Sequence, residues 1–225
     1  MTDVYCILAG LIRLLSPLLL LIYWHKRTGA RFFPALIAFP VCFPVFILGN
    51  AIRSGFHYST PISYYIQQGL LFGVLEECTK YIMMRFILTD YDDRRDAVTY
   101  GIGHGAYEEM LAAFTCFGLF GKGTAGSAIL LVAVWSVIEG TVSVCANTVM
   151  ILYGIRTGKT RIMLPAAIAF HAAGNAVLGI FIEPVAVPLA TALTAAELYI
   201  AVRCWKAMQI PEVNDKETRS ASDNL

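Results

Sequence analysis

Seven apolar stretches alternate with short polar breaks along the chain, near residues 4–24, 32–52, 62–88, 97–120, 127–153, 162–182 and 185–207. Each is about as long as a helix must be to cross the ~30 Å hydrocarbon core of a bilayer. Backbone polar groups in lipid must be satisfied within their own segment, so the spans should be helices. The pattern predicts an all-α polytopic membrane bundle of about seven transmembrane helices. TDYDDRRD at 89–96, GKGTAG at 121–126, GIRTGKTR at 154–161 and Glu183-Pro184 mark breaks between spans. Pro34, Pro40 and Pro44 predict kinks in the second span. Residues 1–208 read as one transmembrane domain, with the functional core in 62–182. Residues 209–225 read as a polar, disordered cytoplasmic tail. No internal repeat is visible.

Composition agrees. The 225 residues are 57% hydrophobic and only 15% charged, too little charge for a soluble domain of this length. Net charge is +1, but its distribution is informative. With seven spans, thirteen of the 17 Lys and Arg fall on one side, Arg53 and Lys122 on the other, and Arg13 and Lys80 inside spans. The positive-inside rule then puts the N-terminus outside and the C-terminus in the cytoplasm. The expected location is a multi-pass cell membrane, of the bacterial plasma-membrane kind. There is no basic stripe for nucleic acid. The first apolar run holds Arg13 and Pro17 and lacks a small-x-small cleavage site, so it is not expected to be a cleaved signal. Six cysteines, scattered singly through apolar segments, read as core- or lipid-facing residues.

Three polar pairs break the apolar pattern: Glu76 and Glu77, His104 and Glu108, His171 and Asn175. An ionisable group in hydrocarbon is costly, so it normally faces a protein interior or a wet cavity where it has a function. At 1.5 Å per residue these groups lie ~10–20 Å below the basic ends of their helices, within one slab of membrane. His104/Glu108, His171/Asn175 and Glu76/Lys80 are spaced i,i+4, so each pair shares a helix face. Glu139 is equally deep on another helix, as a proton-relay or supporting group. Glu109 could take the place of Glu108, and Arg13 could snorkel or pair with a buried acid. Glycines 101, 103, 105, 174 and 179 are expected at close helix contacts.

Two carboxylates, two imidazoles and an amide are the groups that activate water and hold an oxyanion. Adjacent helical residues point about 100° apart, so Glu76 and Glu77 must divide the work. One should activate water and the other should pair with Lys80 or a histidine. His104 could hydrogen-bond the water or the glutamate, with Glu108 fixing its tautomer. His171 and Asn175 could form the oxyanion site.

These residues resemble a known clan. Glu76-Glu77-Cys78-Thr79-Lys80-Tyr81, Tyr100-Gly101-Ile102-Gly103-His104 and His171-Ala172-Ala173-Gly174-Asn175 are similar, in order and spacing, to the Glu-Glu-x-x-x-Arg, Phe-x-x-x-His and His-x-x-x-Asn motifs of glutamic-type intramembrane proteases. That clan includes the CAAX prenyl endopeptidases and the bacteriocin-processing proteins. Within it, GIGHGAYEE resembles the YhfC family. The resemblance covers roughly residues 70–180, and departs where Tyr81 and Tyr100 replace arginine and phenylalanine, with Lys80 as the basic residue. It implies an intramembrane endopeptidase without a cofactor, acting on a membrane-embedded or lipidated peptide. Glu76 or Glu77 with His104 would activate water, and His171 with Asn175 would hold the oxyanion. The alternatives are a zinc-dependent intramembrane metalloprotease with His104, Glu108 and His171 as ligands, a proton-coupled transporter, and an inactive scaffold of the same fold.

Overall fold

The computed structural model describes residues 2–122 and 126–208, so the tail at 209–225 and the middle of the 121–126 break lie outside the described residues. The described chain contains α1 (Thr2–Thr28), α2 (Phe33–Ser54), α3 (Pro61–Ile82), α4 (Arg94–Gly118), α5 (Ala128–Thr157), α6 (Thr160–Ile180) and α7 (Glu183–Ala207). The seven expected spans correspond one to one with these helices. A π-helical turn, Met83–Ile87, extends the end of α3.

Local sequence explains the boundaries. Thr60 and Ser63 form a reciprocal capping box at the start of α3, with Pro61 in its first turn. The Asp93 side chain accepts from Arg95 N at the start of α4. The Arg95 guanidinium holds the Asp93 carboxyl below its ordinary range. Gly158, at φ +70°, closes α5 in the left-handed conformation. α2 continues as one helix through Pro40 and Pro44.

Five of the seven helices (α1, α2, α5, α6 and α7) are long and apolar enough to cross a membrane. α3 and α4, which carry most of the embedded charge, are not among them. Their neighbours shield them: α4 packs on α1, α2 and α5, and α3 packs on α6 and α2. Large apolar side chains such as Leu19, Leu36, Phe43 and Leu131 are left outward, as lipid-facing surface should be. The protein is a polytopic helical membrane protein.

One end of the bundle gathers the basic loops. Arg31 pairs with Asp96, Arg95 donates to Thr28 O, Arg94 to Trp205 O and Arg156 to Asp92 O. The ends that the charge bias assigned to one side are therefore in contact.

Close backbone approach sets the α3–α6 seam. A Cβ on Gly69 would sit 2.5 Å from the Ala172 carbonyl oxygen, and one on Gly73 3.1 Å from that of Ile168. Gly103 does the same for α4 against α2, where a Cβ would lie 2.5 Å from Ala35. Gly101 and Gly179 also sit at tight contacts, but a Cβ on Gly105 or Gly174 would meet nothing. The packing role expected of those two glycines is not found. Gly174 lines a cavity instead.

Candidate functional site

α3, α4 and α6 bring their polar groups to one place. His104 Nε2 lies 3.0 Å from Glu76 Oε2 and 3.3 Å from Glu108 Oε1. His171 Nδ1 lies 2.6 Å from Glu77 Oε1, and its Nε2 lies 3.6 Å from Glu76 Oε2. Lys80 Nζ donates to Glu77 Oε1 at 2.6 Å. Three helices thus form one continuous network.

The two glutamates occupy different environments. Glu77 and Lys80 are both fully buried. Removing such charges from water costs several kcal/mol per ion, and only mutual pairing makes their burial tolerable. Glu76 retains some exposure, 17% of its side chain. It lines a cavity of about 430 Å3 together with His104, Glu108, His171 and Asn175. Glu77 is not on that wall.

Tautomers follow from the partners. Glu77, held by Lys80, is an acceptor, so His171 Nδ1 must carry the proton it donates. If His171 is neutral, its Nε2 then faces the cavity with a lone pair. Only the imidazolium offers an Nε2–H. With no metal between them, His104 Nε2 lies between two carboxylate oxygens and must be a donor. Its Nδ1 lies 3.1 Å from Cys42 Sγ, and that thiol also reaches Ala38 O at 3.2 Å.

Glu76, His104 and Glu108 each offer a donor atom within 4.8 Å of the other two. The separations of 3.0 and 3.3 Å from His104 Nε2 to Glu76 Oε2 and Glu108 Oε1 approximate the ~3.3 Å edge of a tetrahedron with zinc–nitrogen bonds of ~2.0 Å. The residues fit a divalent metal. Of the three ligands expected for the zinc alternative this group holds His104 and Glu108, with Glu76 where His171 was expected.

Other expected residues have separated. Glu109 takes Arg13 as its partner, at 2.7 Å, which leaves Glu108 to His104. Glu139 accepts from Thr194 at 2.7 Å and lines a second cavity of about 180 Å3. Asn175 lies on the walls of both cavities. Three residues were not singled out by the sequence. Cys42 looked like any small apolar residue, and nothing local marks it as a neighbour of His104. Gln68 lines the larger cavity with a buried, unpartnered Oε1. Glu197 is the one acid in the apolar α7 beyond its first residue, Glu183, the same signal that marked Glu139.

Residues 12–117 match the model of the family described as YhfC intramembrane metalloprotease, which bears out the YhfC resemblance. The matched stretch contains Glu76, Glu77, Lys80, His104 and Glu108, but not His171 or Asn175. The chain is also 28% identical over 124 residues to the uncharacterized membrane protein YhfC of Bacillus subtilis (strain 168), covering 48% of this chain. It spans about half of that relative's length, 46%. No solved structure matches.

Proposed function

Taking the YhfC match as premise, we propose that the protein is an intramembrane endopeptidase whose water is activated at Glu76. The observation that carries this reading is the split between the two glutamates. Glu77 is neutralised by Lys80 and His171 away from the cavity, whereas Glu76 faces the cavity with two imidazoles in reach.

In the metal-free form of the reaction, water binds between Glu76 and His104. Glu76 takes its proton as the oxygen attacks the substrate carbonyl carbon. The C–O bond forms and the carbonyl π pair moves to oxygen. Imidazolium His171 and the Asn175 amide donate to that oxyanion. The C–N bond then breaks, and the proton held by Glu76 passes to the leaving amine. Glu77 and Lys80 hold the His171 ring in place. The basic end of the bundle is the cytoplasmic one, and the substrate is a membrane-embedded or lipidated peptide.

A second form is favoured by the donor spacing and by the family's description. Glu76, His104 and Glu108 would hold a divalent metal beside neutral His171, and the metal would supply Lewis acidity and a more acidic water. In that form Glu77 orients His171, and Asn175 remains the oxyanion donor.

The test uses protein in nanodiscs, a cleavable transmembrane-peptide library and elemental analysis. Glu76→Gln and His104→Ala should abolish cleavage while the protein stays monodisperse. Zinc present at one per chain, and lost together with activity on chelation, selects the second form over the first. Intact folding with no cleavage of any peptide by the wild type returns the inactive-scaffold reading. Solute uptake into proteoliposomes that survives Glu76→Gln returns the transporter.

A further inference from the structure

The second cavity lies between α4, α5, α6 and α7 and is overloaded with acid. Glu108, Glu109, Glu139 and Glu197 line it, with Ser136, Ser143 and Thr194 among its hydroxyls. Glu109 has Arg13 and Glu108 has His104. Among the described residues no Lys, Arg or His pairs with Glu139 or Glu197. Glu197 is only 1% exposed, yet its Oε1 has no hydrogen-bond partner. An unmet carboxylate oxygen in the middle of a membrane bundle is among the costliest groups a fold can retain, and it lies on the wall of an open space.

The shape of the cluster narrows the ligand. Glu76, His104 and Glu108 form the one group of metal-ligating atoms close enough to hold an ion among the described residues. Glu109, Glu139 and Glu197 are spread around the second cavity rather than gathered at a point. A compact metal ion would leave most of them unmet. An extended cation with several N–H donors would reach more than one, and a guanidinium has five in a planar fork. The two cavities also share a wall, formed by Glu108, His171, Asn175 and Leu178.

We infer that this acidic cavity receives a basic side chain, arginine or lysine, of a peptide seated at the neighbouring catalytic residues. Glu197 and Glu139 are its specificity-determining carboxylates. The role as a substrate pocket rests on the protease reading; the capacity to bind an organic cation does not.

The test has two arms, both on the full chain in nanodiscs. In the first, butylguanidinium and its neutral analogue butylurea are titrated, and binding is read by ligand-observed NMR. Saturable binding of the guanidinium, at least about tenfold tighter than the urea and weakened about tenfold or more by Glu197→Gln, is expected. Equal binding of the two probes, or binding unmoved by both Glu197→Gln and Glu139→Gln, overturns the inference. Where Glu197→Gln does not fold, Glu139→Gln carries the test. In the second arm, apolar peptides bearing Arg or norleucine at successive positions are compared. The Arg-to-norleucine ratio of kcat/KM should exceed about ten at one position and fall towards one in Glu197→Gln. Guanidinium binding by a protein that cleaves nothing keeps the cation site and rejects the protease reading. Cleavage without any basic preference keeps the protease and rejects the pocket.

Discussion

The two clusters of buried charge near His171 solve the problem of burial in opposite ways. Around Glu77 every charge has a counter-charge: Lys80 and His171 both converge on Oε1. Around Glu139 and Glu197 the carboxylates outnumber their partners, and among the described residues no Lys, Arg or His pairs with either. A paired network is stable by itself and holds reacting groups still. An unpaired one is a demand that something else must meet. The contrast separates positioning from recognition within a few helical turns.

The largest effect should come from the reacting side. Glu76→Gln removes the base but keeps the shape, and cleavage should fall by roughly 10²–10⁴-fold with an unchanged melting midpoint. Glu77→Gln should instead lower the midpoint as well as the rate, because Lys80 is left without its counter-ion. Equal loss of fold in both variants would erase the division between the two glutamates.

Next comes the balanced pair itself. Lys80→Met should destabilise the protein by about 3–5 kcal/mol, the usual cost of breaking a buried ion pair from one side. Denaturant titration in detergent measures it. Replacing both partners, with Glu77→Met and Lys80→Leu, should restore much of that stability while activity stays lost.

A smaller effect is expected at the seam. Gly69→Ala would place a methyl against the Ala172 carbonyl, so α3 and α6 must separate. The cost should be about 1–3 kcal/mol, and the rate should fall as the Glu77–His171 contact lengthens. Gly105→Ala and Gly174→Ala, whose added methyls meet nothing, serve as the comparison and should fold normally. The smallest effect belongs to the membrane edge. Asp93→Ala removes the α4 cap and should cost about 1 kcal/mol, visible as a small drop in melting midpoint with no change in substrate preference.

Much of this could be read from the chain before any coordinates. The span limits followed from hydropathy and turn residues, because lipid leaves a helix few choices. Convergence of Glu76, His104 and His171 followed from matched depth and i,i+4 facing. Which glutamate pairs with Lys80 did not follow. Lys80 is four residues from Glu76 and three from Glu77, and both spacings lie on a helix face, so only the position of α6 decides. Cys42 was invisible for the same reason: its partner His104 lies on another helix, and it sits in no local pattern, whereas Glu197 carried the signal of Glu139 and was passed over. Gly105 and Gly174 were misread because a glycine that opens space looks identical, in a sequence, to one that closes it.

The glycine-lined meeting of α3 and α6 carries one more lesson. The distance between the two halves of the charge network is set by main chain touching main chain, with no side chain as spacer. Drift among the outward-facing residues of α1 or α2 can therefore retune how the protein sits in lipid without moving a reacting atom. The seam has no such slack, since even one added carbon acts there as a wedge.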